Sequence, residues 1–312
     1  LVKSTVVETV PSIRHSYYGI EAWAQIEGNS ITVTMVLIKD VHTRLHACSI
    51  ESFVGEIFFC GTYELNEETR DRQGEIVAFH NDMPIYTTTC ESGVLDMKVA
   101  HGKIASVLST GKLELYRIDH SHSSTNGAQV ISLVLEASTS DEAEGLFLSV
   151  DIADRFSSDC WSVDNARLAV STQQGSILIF DYVVSSSGMS SLNEIFRVSS
   201  AHNMMHEDMP AWIVFFDPHS KNRIISGGDD LCMNVWTLPA SGEVDCEIIK
   251  VASNRKTHTA GVTSGQWHPT LVNVFATGSY DEYVRVWDVR DVSRPLLEIH
   301  TGESLINLFV GR

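Results

Sequence analysis

Two acidic turns, SGGDD at 226–230 and GSYDE at 278–282, and the segment AHNMMHEDMPAW at 201–212 carry the residues best suited to chemistry. Together they offer imidazoles (His202, His206), carboxylates (Asp229, Glu282), aromatic rings (Trp212, Tyr280) and the pair Gly227–Gly228. An imidazole or carboxylate can take a proton from a water. Imidazole, carboxylate and aromatic groups gathered at one channel mouth make a plausible site. Glycine lets backbone N–H groups come close to a developing oxyanion. His202, His206 and Asp229 are therefore the candidate catalytic bases. Trp212, Gly227, Gly228, Tyr280 and Glu282 are the candidate substrate contacts. Other chemistries lack their residues: no G-x-S-x-G elbow, P-loop, GxGxxG or HExxH occurs. His42 and His46 stand four apart, as do His202 and His206, but a zinc site needs more ligands, so no metal is expected.

The elements that must position these residues are legible in the stretch 258–288, HTAGVTSGQWHPTLVNVFATGSYDEYVRVWD. His258, Ser279, Asp281 and Trp287 fit a buried polar tetrad. Imidazole, hydroxyl, carboxylate and indole N–H are tolerable inside only if each satisfies another. This is the pattern of a WD-type repeat, one four-stranded blade of a β-propeller. Earlier units repeat it in weaker form at 46–80, 93–118, 146–184 and 211–238, each with an aromatic near the end of its third strand: Phe79, Tyr116, Phe180, Trp236 and Trp287. The fourth keeps Asp230 and Trp236 and leaves His202 two readings, tetrad imidazole or rim base, but shows Gly228 in the hydroxyl position, and the third has Gln174 and Phe180 for Asp and Trp. Excess length sits in polar loops such as 120–127 and 185–191 and in an acidic insertion at 66–73, where insertions are cheap.

The fold class is therefore an all-β WD40-type propeller over residues 31–312, with five blades and the start of a sixth. Residues 1–30 form an unassigned N-terminal extension. Ile31–Ile38 reads as a strand that completes a blade from the far end of the chain, and SLINLFV at 304–310 opens the sixth. A chain beginning at Leu1 suits a fragment, and a ring of about seven blades would continue past Arg312, since open edges invite aggregation. In such a ring the 201–212, 226–230 and 278–282 segments share one rim.

Composition narrows the partners. Net charge is −18, from 22 basic and 40 acidic residues. Such a surface repels phosphate backbones, so nucleic acid is not expected as direct ligand; it either suits a basic or cationic partner or simply keeps the chain soluble. The six cysteines (48, 60, 90, 160, 232, 246) form no CxxC and read as reduced core thiols of a cytosolic or nuclear protein. No apolar run is long enough to span a bilayer, so no membrane association is expected.

FCGTYEL (59–65), VLDMK (94–98), AHN…AWI (201–213), SGGDD (226–230) and HTAGV…ATGSYDEYVRVWDVRDVSRPL (258–296) together resemble the diphthine methyl ester hydrolase family, the WD-repeat proteins of diphthamide biosynthesis. The resemblance runs from about residue 31 to the end. The VWTL that closes the fourth unit departs from it. The resemblance implies an enzyme, a carboxylic-ester hydrolase. Its protein substrate would be elongation factor 2, on which a modified histidine carries a trimethylammonium group and a methyl ester. Removal of the ester methyl would release methanol and leave diphthine. It further implies a cytoplasmic protein without a cofactor. The alternative is a non-catalytic WD scaffold for protein–protein interaction, because fold does not fix function.

Overall fold

The structure, a computed structural model, describes residues 2–9, 16–27, 30–54, 56–122, 129–153, 165–239, 247–268, 271–302 and 309–311; of residues up to 42 and beyond 308 it gives the backbone course. The chain enters through three strands, β1 (Val2–Thr9), β2 (Ser16–Glu27) and β3 (Ser30–His42). Five sheets of four strands follow. Blade one holds β4 (His46–Ser52), β5 (Ile57–Leu65), β6 (Arg72–His80) and β7 (Met83–Cys90). Blade two holds β8 (Val94–Ala100), β9 (Lys103–Leu108), β10 (Lys112–His122) and β11 (Gln129–Ser140). Blade three holds β12 (Phe147–Ile152), β13 (Asn165–Thr172), β14 (Ile177–Val184) and β15 (Ser190–Val198). A two-residue-per-arm hairpin, β16 (Asn203–Met204) and β17 (Glu207–Asp208), precedes blade four: β18 (Ala211–Asp217), β19 (Ser220–Gly228), β20 (Met233–Thr237) and β21 (Ile249–Asn254). Blade five holds β22 (Val262–Trp267), β23 (Val274–Ser279), β24 (Tyr283–Asp288) and β25 (Leu297–His300). The last strand, β26 (Phe309–Gly311), pairs antiparallel with β1, giving a sheet in the order β26-β1-β2-β3.

Each blade is an antiparallel meander whose first strand packs on the first strand of the next: β4 on β8, β8 on β12, β12 on β18, β18 on β22. Blades stacked in this way bury both faces, so strands such as β9 are buried along their whole length. The apolar core is correspondingly four layers between neighbours. Phe59, Ile76 and Met97 fill the first, Leu115, Phe147 and Leu168 the second, Ile179, Phe216 and Trp236 the third, and Phe215, Trp267 and Trp287 the fourth.

The innermost strands are also tied by carboxylates. Asp96 on β8 accepts from Ser49 Oγ of blade one at 3.1 Å and from Ser149 Oγ and the Val150 amide of blade three at 3.0 and 3.1 Å. Asp151 accepts the Phe216 amide of blade four at 2.7 Å. Charge-assisted bonds of this kind fix the register of one blade on the next.

The expected propeller is therefore present, and the strand expected at 31–38 does join a sheet with the far end of the chain. Residues 1–30, read as unassigned, contain β1 and β2. Cys60, Cys90 and Cys232 are buried free thiols and Cys48 is half-buried. Burial pushes Cys48 and Cys90 up to about 12, leaving them unreactive thiols at neutral pH. Cys160, Cys246, residues 123–127 of the loop read at 120–127 and residues 304–308 of the strand read at 304–310 lie outside the described residues. Among the described residues, no helix is long and apolar enough to cross a membrane.

Candidate functional site

One hydrogen bond recurs from blade to blade and defines the rim. The N–H of a residue in the turn after the second strand donates to the carbonyl just before the first strand. The pairs are Ser109 to Gly93 (2.9 Å), Gln173 to Leu146 (2.8 Å), Asp229 to Pro210 (2.9 Å) and Tyr280 to Gly261 (3.0 Å). The turns at 226–230 and 278–282 and the segment leading into β18 thus meet at one end of the blades. Asp229 and Tyr280 occupy the same position in adjacent blades.

A second recurrent feature aims the aromatic. Every first strand carries an extra residue near its start, where its register against the second strand slips: Cys48, Leu95, Leu148, Trp212 and Thr263. Such bulges kink a strand and redirect the extra side chain. In blade four that side chain is Trp212. Its indole N–H donates to Asp229 Oδ1 at 2.8 Å, and its ring meets that of Tyr280 edge-on at 6.2 Å between centroids. Trp212, Asp229 and Tyr280 are each half-buried, with part of their surface open to solvent. Burial, and then the charge of Asp229, push the Tyr280 hydroxyl above the usual phenol range. Gly261 is required beneath them: a Cβ there would lie 2.4 Å from Asp229 Oδ1. The same relation holds three blades earlier, where a Cβ on Gly93 would lie 2.1 Å from Tyr63 Cδ2.

The other candidates are placed differently. His202 is completely buried inside blade four. Its Nδ1 pairs with Asp230 Oδ1 at 2.8 Å and its Nε2 with Ser226 Oγ at 2.7 Å, while Trp236 donates to the same hydroxyl at 2.9 Å. Blade four therefore owns a complete tetrad, and both His202 nitrogens are consumed by it. Burial raises the Asp230 carboxyl, but the His202 contact and the Cys232 amide outweigh it and leave the group below the usual range. Gly228 is not the hydroxyl position of this blade; Ser226 is. Gly227 lies against Val262 of the next blade, where a Cβ would be 2.6 Å from Cγ1. Gly228 lies against the His202 ring at the same Cβ distance, 2.6 Å to Nδ1, and its N–H donates to Cys232 O at 3.2 Å. Close packing, rather than an open oxyanion cradle, is what these two glycines provide. His206 stands exposed at the tip of the β16–β17 hairpin, joined to the Trp212 cluster by no hydrogen bond or ring contact among those described. The Glu282 carboxylate faces outward to His300 of the outermost strand at 3.2 Å.

In blade five the tetrad hydroxyl is Thr277. Trp287 donates to Thr277 Oγ1 at 2.8 Å and His258 Nε2 lies 3.2 Å from it. Ser279 instead donates to Ala260 O and caps the Asp281 amide. The sequence reading did not foresee Arg285. Its guanidinium lies 3.0 Å from His258 Nδ1 and 2.8 Å from Asp281 Oδ2, holding imidazole and carboxylate 3.7 Å apart. Burial holds His258 below the usual imidazole range. Among the described residues, no cluster of three or more His, Cys, Asp or Glu is arranged to hold a metal ion.

No protein-family model matches the chain. It is similar to the diphthine methyltransferase homolog of Dictyostelium discoideum, 29% identical over 284 residues, which cover 81% of this chain and 70% of that protein. It is 30% identical over 299 residues to human diphthine methyltransferase, covering 84% of this chain and 60% of the human protein. The Schizosaccharomyces pombe diphthine methyltransferase is 25% identical over 269 residues, 84% of this chain and 71% of that one. The chain thus spans less than two thirds of the human relative. These names correct the enzymatic expectation. The relatives are named for methyl transfer, so the carboxylic-ester hydrolase expected from the resemblance does not stand.

Proposed function

The chain belongs to the WD-repeat family of diphthamide biosynthesis that includes these relatives, and from that premise we propose that its rim holds the methylated diphthine side chain of elongation factor 2 during the methyl-transfer step for which they are named. The observation that supports this most directly is the joining of Trp212, Asp229 and Tyr280 across two blades. Diphthine carries a trimethylammonium group. Such a cation has no N–H, so only aromatic faces and a carboxylate can recognise it. Here the indole N–H is spent on Asp229, which orients the carboxylate and fixes the Trp212 ring. Tyr280 packs on that ring from the next blade and stays protonated and neutral at physiological pH. The part assigned to this chain is the acceptor side of the reaction: binding and orienting the modified residue. The cytoplasm, where elongation factor 2 works, is the compartment this reading assigns.

The test uses the protein with elongation factor 2 carrying trimethylated diphthine and with the same factor unmodified. Wild type is expected to bind the modified form at least about tenfold more tightly, and to change its mass by one methyl group when the remaining components of the step are supplied. Trp212→Ala and Tyr280→Ala are expected to abolish the preference. Asp229→Asn keeps an acceptor for the indole N–H but removes the charge, and is expected to reduce the preference without abolishing it. Equal binding of both forms by wild type would overturn the assignment.

A further inference from the structure

The segment between blades three and four does more than connect them. It folds as the β16–β17 hairpin, with Asn203 paired to Asp208 and Met204 to Glu207. Only Met205 and His206 make the turn, and both have left-handed backbones, φ 53° and 70°. A two-residue turn of this kind is natural for Asn-Gly and costly for side chains such as these. The neck is firmly held. The Met209 amide donates to His202 O at 3.1 Å, Arg255 Nη2 to Asn203 O at 2.7 Å, and Asn203 Nδ2 to Ser200 O at 2.8 Å. Below the neck, His202 is locked in its tetrad, and Gly175 of blade three lies so close that a Cβ would meet His202 O at 2.5 Å. At the tip, Met205 is 88% exposed, the most exposed large hydrophobic side chain among the described residues, and Glu207 and Asp208 on the returning arm are exposed beside it.

The hairpin also stands beside the Trp212 cluster. Pro210, directly after the hairpin, accepts the Asp229 N–H, and Trp212 follows two residues later. A strained tip held by a rigid neck, with an apolar end and acidic flanks, is the form of a docking finger. Strain retained where nothing in the core needs it points to use at the surface. We infer that this hairpin docks the folded body of elongation factor 2 next to the modified histidine, with Met205 entering an apolar depression rimmed by basic residues. The inference rests on the proposed function. The occupant follows from the proposed function, since the finger adjoins the rim that would hold the modified residue, and the finger is acidic on a chain of net charge −18, so the patch it meets is basic. The unbranched thioether of Met205 adapts to a pocket it was not moulded with.

The experiment compares two ligands by calorimetric titration: intact elongation factor 2 bearing trimethylated diphthine, and a short peptide bearing the same residue. Met205→Asn removes the apolar tip and accepts a left-handed backbone. It is expected to weaken binding of the intact factor about tenfold while the peptide binds as to wild type. Met205→Asn/His206→Gly relieves the strained turn and is expected to raise Tm with the same loss of factor binding, which separates docking from folding. Trp212→Ala is expected to weaken both ligands. Intact factor bound equally by wild type and Met205→Asn overturns the finger and leaves the proposed function standing. Peptide binding that falls in step with factor binding in Met205→Asn overturns it as well, because the tip would then belong to the residue pocket. Wild type that binds neither ligand overturns both.

Discussion

Thr277 and Ser279 stand two residues apart on β23, on the same face, yet only Thr277 receives the Trp287 indole. The reason is cross-strand geometry. Thr277 pairs with Arg285, so Trp287 sits one same-face step along β24 and reaches Thr277 diagonally. Ser226 and Trp236 repeat that relation through the Ser226–Asn234 pair. Thr277→Val keeps the shape but leaves the Trp287 and His258 donors without their acceptor inside the blade. It is expected to cost about 1–3 kcal/mol, read as a lowered urea midpoint at unchanged slope. Ser279→Ala loses a buried hydroxyl whose partners are backbone groups rather than the tetrad, and is expected to cost less, about 0.5–1.5 kcal/mol. The reverse order would return Ser279 to the tetrad. Spacing pointed to His258, Asp281 and Trp287, which the structure gathers around Thr277 and Arg285. The two-residue period of a strand hid which of two hydroxyls completes them, because positions i and i+2 present the same face. Blade four shows the same offset: Ser226, not Gly228, is its hydroxyl, and of the two roles open to His202 it holds the tetrad imidazole and not a rim base. Arg285 was hidden for another reason, since its pattern value is that of an exposed strand position, while in space it is almost wholly buried.

At the scale of elements, the rim is built by two devices that strand alternation cannot show: the bulge at Trp212 and the glycine platform at Gly261. Gly261 precedes β22, and its missing side chain is the room into which Asp229 from blade four reaches. Gly261→Ala is expected to leave the blades intact and displace the Asp229 carboxylate, because a side chain yields more readily than two packed sheets. The measurement is a split readout. Tm should fall by only a few degrees, for a cost of about 1 kcal/mol, while preference for trimethylated over unmodified elongation factor 2 is lost. A large fall in Tm with the preference retained would mean that Gly261 serves folding alone. The first three strands of each blade were legible because they are apolar and bounded by turn residues. The fourth strands were not: β7 is Met83–Cys90, MPIYTTTC, outermost and mostly exposed, so no buried face marks it. The strand at 31–38 was legible from its alternating β-branched residues and lies within β3, whereas β2, its antiparallel partner, shows no clear period in the sequence.

At the scale of the molecule, 40 acidic against 22 basic residues give a field that acts beyond any single contact. The buried pairs do not produce it. Asp281 with Arg285, Arg167 with Asp181 and Lys103 with Glu136 neutralise locally, whereas carboxylates such as Glu67, Glu68, Glu207 and Asp208 face water. Exposed charge of one sign does little for stability, and its physical consequence lies in encounter: it steers a basic partner and is screened by salt. If the finger and the rim meet elongation factor 2 as inferred, the two parts of binding should separate kinetically. The association rate is expected to fall at least about tenfold between low salt and 0.5 M. Dissociation, governed by the desolvated contacts of Met205, Trp212 and Tyr280, is expected to change little over the same range. Stopped-flow association at several salt concentrations reads both constants. An association rate indifferent to salt would show that the acidic surface takes no part in recognition, whatever the rim and the finger contribute at short range.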